Sequence, residues 1–325
     1  MQYQSPYEGS VAYACSGKQP SGGVSPRNTR LRGQSIIEYV LIAAVIGLVI
    51  VFAGPGVAGA IRNQFNQVTN TVDSGTDGDN FMSAEEKAYR EAMKTVAQKD
   101  AKDWTLDEQK AAATDIAKNG TSSVVYAKAK AAMDAGTKFS SRLTNGKTLQ
   151  YRIIGINHDD LADGNGKAGL TFEATNDALG GQRMNATGIN AGGWEKSELC
   201  GRLSSGDLWS LLPSELQSKV KTVKKLTDNQ GDGNVGTPSV TNDKVFLLSS
   251  TEVRGDLNGD GTQYEYYASK GVTRSNYSAV SSGFDHWTRS VNPNVSIFFR
   301  CVYSNGSSQS NNALTANCVF PAWCF

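Results

Sequence analysis

The hydrophobic and polar positions divide the chain into an apolar segment, a helical middle part and a larger part with the pattern of short strands. The apolar segment covers residues 36–61 and contains one charged side chain, Glu38. As a helix rising about 1.5 Å per residue, it is long enough to cross a hydrocarbon layer of about 30 Å. Because Arg27, Arg30 and Arg32 precede it, the positive charge predicts a cytoplasmic amino end and an exported remainder.

Residues 83–136 have the pattern of three short helices joined by polar turns. Ser83 and Thr105 each stand three residues before a glutamate, which is the sequence of a capping box and predicts a helix start at both places. The Asp- and Gly-rich residues 73–82 are expected to form a hinge. Since the helices carry only modest apolar stripes, we predict a helical spacer that holds the last part of the chain away from the apolar segment.

Residues 137–325 alternate short apolar runs with turn residues, which predicts an α+β domain with a small antiparallel sheet. Strands are expected over 149–156, 244–248, 296–303 and 314–320, and a helix over 214–225 with Pro213 at its start. The 34 glycines of the chain also favour a loop-rich fold over a helical bundle.

The charge balance and the scarcity of histidine exclude two classes of protein. The chain has 32 basic and 31 acidic residues and a net charge of +1, whereas a nucleic-acid-binding protein has a marked basic excess. Only two histidines are present. His286 stands beside Asp285 and Trp287, but a structural histidine is favoured over a catalytic dyad. We therefore predict no nucleic-acid partner and no enzymatic activity.

The start of the apolar segment carries the sequence Gly33-Gln34-Ser35-Ile36-Ile37-Glu38-Tyr39. This sequence resembles the amino-terminal signal of type IV prepilins, in particular the tight-adherence (Flp) pilins with their Glu-Tyr pair. The resemblance implies that residues 1–33 are a leader, which a prepilin peptidase removes between Gly33 and Gln34. It also implies a transmembrane and filament helix over residues 34–72.

Glu38 gives this resemblance physical support. A charged side chain in the membrane costs about 2.5–3.5 kcal/mol at the midplane, and in a filament Glu38 can pair with the free α-amine of a neighbouring subunit. The resemblance also assigns Tyr39 and Pro55 to assembly, and Pro55 is expected to interrupt the helix. The implied partners are other pilin subunits, the peptidase, the pilus assembly platform and, before assembly, the membrane.

Several short motifs within residues 137–325 follow one another in a characteristic order. They include Tyr151-Arg-Ile-Ile-Gly-Ile-Asn-His-Asp159, Asn190-Ala-Gly-Gly-Trp194, Trp287-Thr-Arg-Ser290 and Phe320-Pro-Ala-Trp-Cys-Phe325. In order and spacing, they resemble a domain family of undefined function from bacterial surface and phage-like proteins, whose fold is similar to that of C-type lectins. The resemblance implies a C-type-lectin-like domain over residues 137–325, with its ligand face in the last part of the chain.

The expected ligand face lies between residues 285 and 317, where aromatic and short polar residues are mixed as in known binding loops. The candidate ligand-binding residues are Trp287, Arg289, Asn292, Asn294, Ser296, Phe298, Tyr303, Asn305, Ser307, Ser308, Ser310, Asn311 and Asn312. The expected ligand is a surface glycan or a protein. In the alternative interpretation, the aromatic residues belong to the core beneath a hydrophilic loop.

The sequence Asp256-Leu-Asn258-Gly-Asp260-Gly matches the first half of an EF-hand calcium loop. Asp256, Asn258 and Asp260 are therefore the candidate metal ligands. The bidentate glutamate that closes such a loop is replaced by Tyr267, which favours a plain turn built from Asp, Asn and Gly. We expect no cofactor other than calcium, and calcium only if further ligands come from elsewhere in the chain.

Four cysteines follow the leader, namely Cys200, Cys301, Cys318 and Cys324. In an exported domain, an even number of cysteines predicts disulfide bonds. Cys301 and Cys318 form the favoured pair because both lie in strand-like runs of a predicted hairpin. One bridge with two buried thiols is the alternative.

Taken together, these features predict a pilin-like subunit, minor or at the tip, of a type IV or tight-adherence pilus, which displays a ligand-binding domain for adhesion at the cell surface. One alternative is a structural subunit whose outer domain only decorates the filament. Another is a secreted enzyme, released after Ala60 by cleavage of an ordinary secretory signal at Ala58-Gly59-Ala60. A plain membrane anchor is the third interpretation of the apolar segment.

Overall fold

The computed structural model describes residues 83–255 and 259–325. The leader, the filament helix and the hinge predicted within residues 1–82 lie outside these ranges, and so do Asp256 and Asn258. Contacts between residues group the described part of the chain into one unit.

The described helices are short, and most of them have one or two turns. In chain order they are α1 (Ala84–Val96), α2 (Leu106–Asn119), α3 (Tyr126–Ala135), α4 (Gly193–Lys196), α5 (Glu198–Ser204), α6 (Asp207–Leu211), α7 (Ser214–Gln217), α8 (Ser250–Arg254) and α9 (Glu265–Ser269). Single 3-10 turns cover Ala101–Asp103, Gly120–Ser122 and Ser278–Val280. Within the described ranges, no helix has the length and apolar character needed to cross a membrane.

The described strands form three sheets. In chain order they are β1 (Phe139–Arg142), β2 (Thr148–Ile156), β3 (Leu170–Ala174), β4 (Gly181–Gln182), β5 (Val223–Thr227), β6 (Ser239–Asp243), β7 (Val245–Phe246), β8 (His286–Val291), β9 (Phe298–Val302), β10 (Ser308–Asn312), β11 (Asn317–Cys318) and β12 (Ala322–Cys324). The first sheet has the order β1-β2-β3-β12-β7, the second β10-β9-β8-β11-β4, and β5 pairs with β6. Neighbouring strands are antiparallel except β8 and β11, which are parallel.

The predicted helix starts at Ser83 and Thr105 are confirmed. The Ser83 side chain accepts a hydrogen bond from the backbone N–H of Glu86 at 3.1 Å. Thr105 and Glu108 form a complete capping box, in which each side chain accepts a hydrogen bond from the other residue's backbone N–H. These local bonds satisfy amide groups that the first helical turn leaves without partners.

Helices α2 and α3 pack against the first sheet, and α1 packs against α2. The backbone of Ala113 in α2 lies so close to Gly169 that a Cβ atom there would stand 1.8 Å from the Ala113 carbonyl oxygen. Tyr151 in β2 donates a hydrogen bond to Gln109 at 3.1 Å, and Asn157 donates one to the carbonyl oxygen of Ile116 at 3.1 Å. These helices therefore share one core with β2 and β3.

The described residues have the predicted α+β class, but the predicted architecture is wrong. It combined a long amino-terminal pilin-type helix, a helical spacer and a C-type-lectin-like domain with one small antiparallel sheet. The structure has two five-stranded sheets and a two-stranded one, and its longest described helix is the 14-residue α2. The spacer prediction failed because the small alanines of α2 and α3 allow these helices to pack closely against the sheet. The weak apolar stripe in their sequence does not indicate such packing.

The strand predicted over 149–156 is confirmed as β2, whereas the helix predicted over 214–225 is wrong beyond its first turn. Helix α7 ends at Gln217, and β5 begins at Val223. Along β5, buried and exposed residues alternate, which is the period of a strand that is half exposed. The short run Val223-Lys-Lys-Leu-Thr227 was too brief for its period of two to be distinguished from the end of an amphipathic helix.

Candidate ligand-binding surface

Trp287 and Arg289, two of the predicted ligand-binding residues, lie in the core. Both belong to β8, in which every residue is buried. The Trp287 indole N–H donates a hydrogen bond to the carbonyl oxygen of Gln182 at 2.8 Å, and its ring packs edge-on against Phe299. In this structure, the two side chains support the molecule from within and do not reach a surface.

Arg289 joins four segments that are distant in sequence. Its guanidinium donates hydrogen bonds to Thr227 Oγ1 at 2.7 Å and to the carbonyl oxygen of Leu247 at 2.9 Å. It also forms a bidentate ion pair with Glu252, in which the Nη2–Oε1 distance is 2.8 Å. Its Nη2 atom further donates to the backbone oxygen of Asp260 at 3.2 Å. Arg289 is therefore a structural clamp between β5, the residue after β7, α8 and the turn before α9.

Asp159, Lys225, Glu252 and Arg289 form a buried group that we call the charge cluster. The Lys225 Nζ atom lies 2.6 Å from Asp159 Oδ1 and 2.6 Å from Glu252 Oε1. Burial alone would raise the pKa of Asp159, but the charge of Lys225 holds it well below its ordinary value. Burial likewise opposes ionisation of Glu252, and Arg289 together with Lys225 lowers its pKa. Two cations thus compensate two anions.

Asn190 holds three loops together at one end of the second sheet. Its Nδ2 atom donates hydrogen bonds to the carbonyl oxygens of Val295 at 3.0 Å and Phe298 at 2.7 Å. Its Oδ1 atom accepts a hydrogen bond from the backbone N–H of Asp232 at 2.7 Å, and its own backbone N–H donates to Ser296 at 2.7 Å. The side chain is fully buried, so these bonds are shielded from water.

Asp228 closes the loop of residues 228–236, whose Asp232 N–H donates to Asn190. The carboxylate of Asp228 accepts hydrogen bonds from the backbone N–H groups of Gln230 and Gly236, both at 3.0 Å. Gly231 within this loop has φ +62°, and a Cβ atom there would lie 2.1 Å from the Asn190 carbonyl oxygen. Only glycine permits both this backbone conformation and this close approach.

Together these segments expose a set of loops and adjoining strand ends, which we call the loop surface: residues 185–192, 228–236, 292–298 and 310–314. The third and fourth are linked by the hydrogen bond from Asn292 Nδ2 to Ser310 Oγ at 3.2 Å. Gly188 stands against Asn312 and Leu314. The exposed apolar members are Ile189 (49 %), Val235 (74 %) and Leu314 (43 %).

The predicted ligand-binding residues fall into three groups. Trp287 and Arg289 are buried. Asn292, Asn294, Ser296, Phe298, Ser310, Asn311 and Asn312 lie on or beside the loop surface. Tyr303, Asn305, Ser307 and Ser308 lie at the turn between β9 and β10, where the Asn305 side chain accepts a hydrogen bond from the Ser307 backbone. Since each strand of the hairpin has five residues, the turn lies about 14 Å from the loop surface.

The predicted calcium ligand Asp260 is used inside the protein. Its carboxylate accepts a hydrogen bond from the Ser290 hydroxyl, and the residue is fully buried. Asp256 and Asn258 lie outside the described residues. Among the residues that the structure describes, no group of His, Cys, Asp and Glu side chains has an arrangement that would hold a metal ion.

The predicted disulfide bonds are not formed, and Cys200, Cys301, Cys318 and Cys324 are free thiols. Cys301 in β9 stands opposite Trp287 of β8, while Cys318 in β11 stands opposite His286 of β8. Strand β8 therefore lies between the two cysteines of the favoured pair. Across two strand spacings they are about 10 Å apart, whereas a disulfide requires Cα atoms within about 7 Å.

The residues that shape the loop surface were not predicted from the sequence. Asn190 stands in the quoted Asn190-Ala-Gly-Gly-Trp194 motif, but nothing local indicates that its amide bonds to loops about 40 and 100 residues away in the chain. Ile189 and Leu314 were also missed, since an isolated aliphatic residue in a polar stretch does not show whether it is buried. The Asn and Gly composition of residues 185–192 and 228–236 was the available signal for a loop pair.

The comparisons with known proteins add one finding. Residues 165–324 match the model of a family described as a domain of unknown function (DUF6273). This range runs from β3 to β12 and contains the whole loop surface. Neither a curated protein nor a solved structure matches the chain. The family description names no ligand and no reaction.

Proposed function

We propose that the described unit is a ligand-binding domain for adhesion and that it binds through the loop surface. The observation that carries this proposal is the bonding of Asn190, which fixes loops from three parts of the chain against one rigid sheet. Binding residues are commonly found on loops that a rigid scaffold holds in place. Loops fixed before binding also lose less conformational freedom when a ligand arrives.

The composition of the loop surface favours a protein as the ligand. Ile189, Val235 and Leu314 expose aliphatic side chains among Asn, Ser and Thr residues. A contiguous exposed apolar patch with a polar rim is typical of surfaces that contact another protein, and short polar side chains offer adaptable hydrogen bonds. The buried charge cluster offers neither exposed apolar side chains nor adaptable hydrogen bonds to a ligand, because its charged groups are buried and paired with one another.

The amino-terminal sequence supports a role in display. Because residues 33–39 resemble a prepilin signal, we propose that the domain is carried on a pilin-like subunit, minor or at the tip of a type IV or tight-adherence pilus. This part of the proposal is tested by mass spectrometry of the mature amino terminus. Gln34 as the first residue supports it, whereas Ile61 contradicts it and supports release by an ordinary secretory signal.

The binding part is tested by quantifying attachment of the full-length chain to cells and to arrays of surface proteins and glycans. We expect Ile189→Asp and Leu314→Asp to weaken attachment at least tenfold, because each places a charge on the apolar part of the loop surface. Val124→Asp is the matched control, since Val124 is 69 % exposed but belongs to the helical part. Equal attachment by all three variants would contradict the proposal. If the chain attaches to glycans but not to proteins, the ligand is a sugar and not a protein.

A further inference from the structure

A small cavity lies between the first sheet and the start of β8. Its volume is about 150 Å³, and its walls include Arg152 from β2, Thr175 after β3, Ser281, Ser282 and His286. An apolar cavity of similar volume accommodates benzene. The available space therefore fits one small group, such as a tetrahedral ion, a carboxylate or a single acidic ring substituent.

The walls of this cavity carry positive charge and no carboxylate. Lys138 and Arg152 both line it, and none of its other lining residues is Asp or Glu. Lys138 is exposed, while the Arg152 side chain is largely enclosed, with 18 % of its surface exposed. A cationic wall without acidic groups is the electrostatic requirement for binding an anion.

Arg152 is held in place by groups on one side. Its Nη1 atom donates a hydrogen bond to the Tyr266 hydroxyl at 3.0 Å, and Nη2 donates to Glu173 Oε2 at 3.0 Å. The Tyr267 hydroxyl donates to the same carboxylate at 2.7 Å. The Arg152 Nε–H has no hydrogen-bond partner, although the atom is buried, and the same holds for Thr175 Oγ1. Two unsatisfied polar groups thus stand on residues that line one cavity, and buried polar groups normally have partners.

Glu173 bonds to Arg152, and His286 lines the cavity. Burial raises the pKa of Glu173, and the charge of Arg152 opposes this effect. The pKa of His286 is lowered to about 4, chiefly by burial; the charges of Arg152 and Arg254 act in the same direction, while the hydrogen bond with the Phe284 backbone and the charge of Asp285 oppose them. His286 is therefore neutral at pH 7.

We propose that this cavity binds a small oxyanion of the carboxylate or sulfate class. Lys138 supplies the charge, since that of Arg152 is paired with Glu173, and the Arg152 Nε–H and the Thr175 hydroxyl supply hydrogen bonds. An arginine is well suited to this task because its planar donors match the oxygens of such anions. The site is separate from the loop surface and does not depend on the proposed adhesion.

The test uses the full-length chain labelled with ¹⁵N at histidine, which has two such residues, His158 and His286. Sodium sulfate is titrated at pH 7 against sodium chloride of matched ionic strength, and the imidazole resonances are followed by NMR. We expect a saturable shift of the His286 resonance, because His286 lines the cavity, and no saturable shift of the His158 resonance. Absence of a saturable shift at His286 overturns the proposal.

Variants decide whether the proposed residues carry the binding. Lys138→Ala and Thr175→Val are expected to weaken sulfate binding about tenfold each, while Lys147→Ala, at another exposed lysine, leaves it unchanged. Arg152→Gln is informative only if the variant folds, so the test relies on Lys138→Ala and Thr175→Val. The proposal is overturned if both of these variants bind sulfate as tightly as the unchanged protein. Acetate and glucuronate are titrated in the same way, to distinguish a free anion from the acidic group of a sugar. Saturable binding of either one supports the site.

Discussion

The charge cluster and the loop surface are both built from polar residues that are distant in sequence, but they use those residues in opposite ways. In the charge cluster, Lys225 and Arg289 are paired with Asp159 and Glu252 at hydrogen-bonding distance. On the loop surface, one buried amide supplies the framework and the outer side chains remain in contact with water. Charge and hydrogen-bonding capacity therefore indicate a binding site only where they are not already satisfied within the protein.

This difference explains why Arg289 resembled a ligand-binding residue in the sequence. An arginine between Thr and Ser, close to two asparagines, has the composition of a binding loop. Its partners come from β5, from the residue after β7 and from α8, and no sequence motif connects them. The two regions can be separated experimentally because damage to the cluster affects folding, whereas damage to the outer loops affects binding.

The largest effect is expected from Glu252→Gln. This change removes the shared partner of Lys225 and Arg289 and leaves two positive charges in the core with one carboxylate between them. Breaking a buried ion pair from one side costs about 3–5 kcal/mol, and we expect the free energy of unfolding to fall by that amount. Chemical denaturation of the purified full-length chain measures it.

Asp107→Asn is the matched control for the first prediction. Asp107 pairs with Lys219 at 2.7 Å, but its side chain is 75 % exposed, and exposed ion pairs contribute about 0–1 kcal/mol. Equal losses in the two variants would show that the charge cluster is no more important to folding than a surface pair.

The second effect is a dependence of stability on pH that arises from His286. Burial lowers its pKa to about 4 in the folded protein, whereas an unfolded histidine has a pKa of about 6.5. The unfolded chain thus binds the proton first, and stability falls as the pH falls from about 6.5 to about 4. The contribution is roughly 3 kcal/mol. His286→Phe keeps a ring against Phe320, which stacks on His286 at 4.4 Å, and should flatten this part of the stability profile.

His158 provides the comparison for this titration. Its pKa is raised, because the hydrogen bond to Glu265 and nearby carboxylates outweigh the effect of burial. Its contribution to stability is present at low pH and is lost as the pH rises through the raised pKa. His158→Gln should therefore change the profile with the opposite sign. An unchanged acid slope in His286→Phe would mean that another group causes it.

The third effect belongs to the loop surface itself. Asn190→Ala removes the acceptor for the Asp232 N–H and the donor to Val295 and Phe298. Leaving these buried backbone groups without partners costs about 1–3 kcal/mol, and the loops lose their fixed arrangement. We expect faster amide hydrogen exchange in residues 228–236 and 292–298, and weaker attachment to the ligand. Asn165→Ala, at an exposed position outside the loop surface, should change neither quantity.

Local signals were sufficient for some elements of the fold. The helix starts at Ser83 and Thr105 were predictable because a capping residue and the amides that it binds lie within one turn. Strand β2 was predictable because its apolar residues extend over nine positions. In both cases, the interactions that define the element lie close together in the sequence.

The remaining features depend on contacts between distant segments. The five-residue β5 is specified by its pairing with β6, so its sequence alone resembled the end of a helix. The alanines of α2 and α3 resembled a solvated spacer until their packing on Gly169 and β2 was known. For the candidate site, composition indicated the right part of the chain but not which side chains face outward. The order of the strands determines which side chains face outward, and this order brings Asn190 and Leu314 to the same end of the second sheet.

The smallest effect is expected for the cysteines, and it tests the strand order directly. Because β8 separates Cys301 from Cys318, adding a reducing agent should change the thermal midpoint of the full-length chain by less than about 1 °C, whereas a native disulfide contributes about 2–5 kcal/mol. Burial raises the pKa of Cys200, Cys301 and Cys318 to about 12, so alkylation of the folded protein should be slow. In denaturant without reductant, the thiols of Cys200, Cys301, Cys318 and Cys324 should all react. If Cys301 and Cys318 react only after reduction, the order β9-β8-β11 is wrong, since no strand can then lie between them.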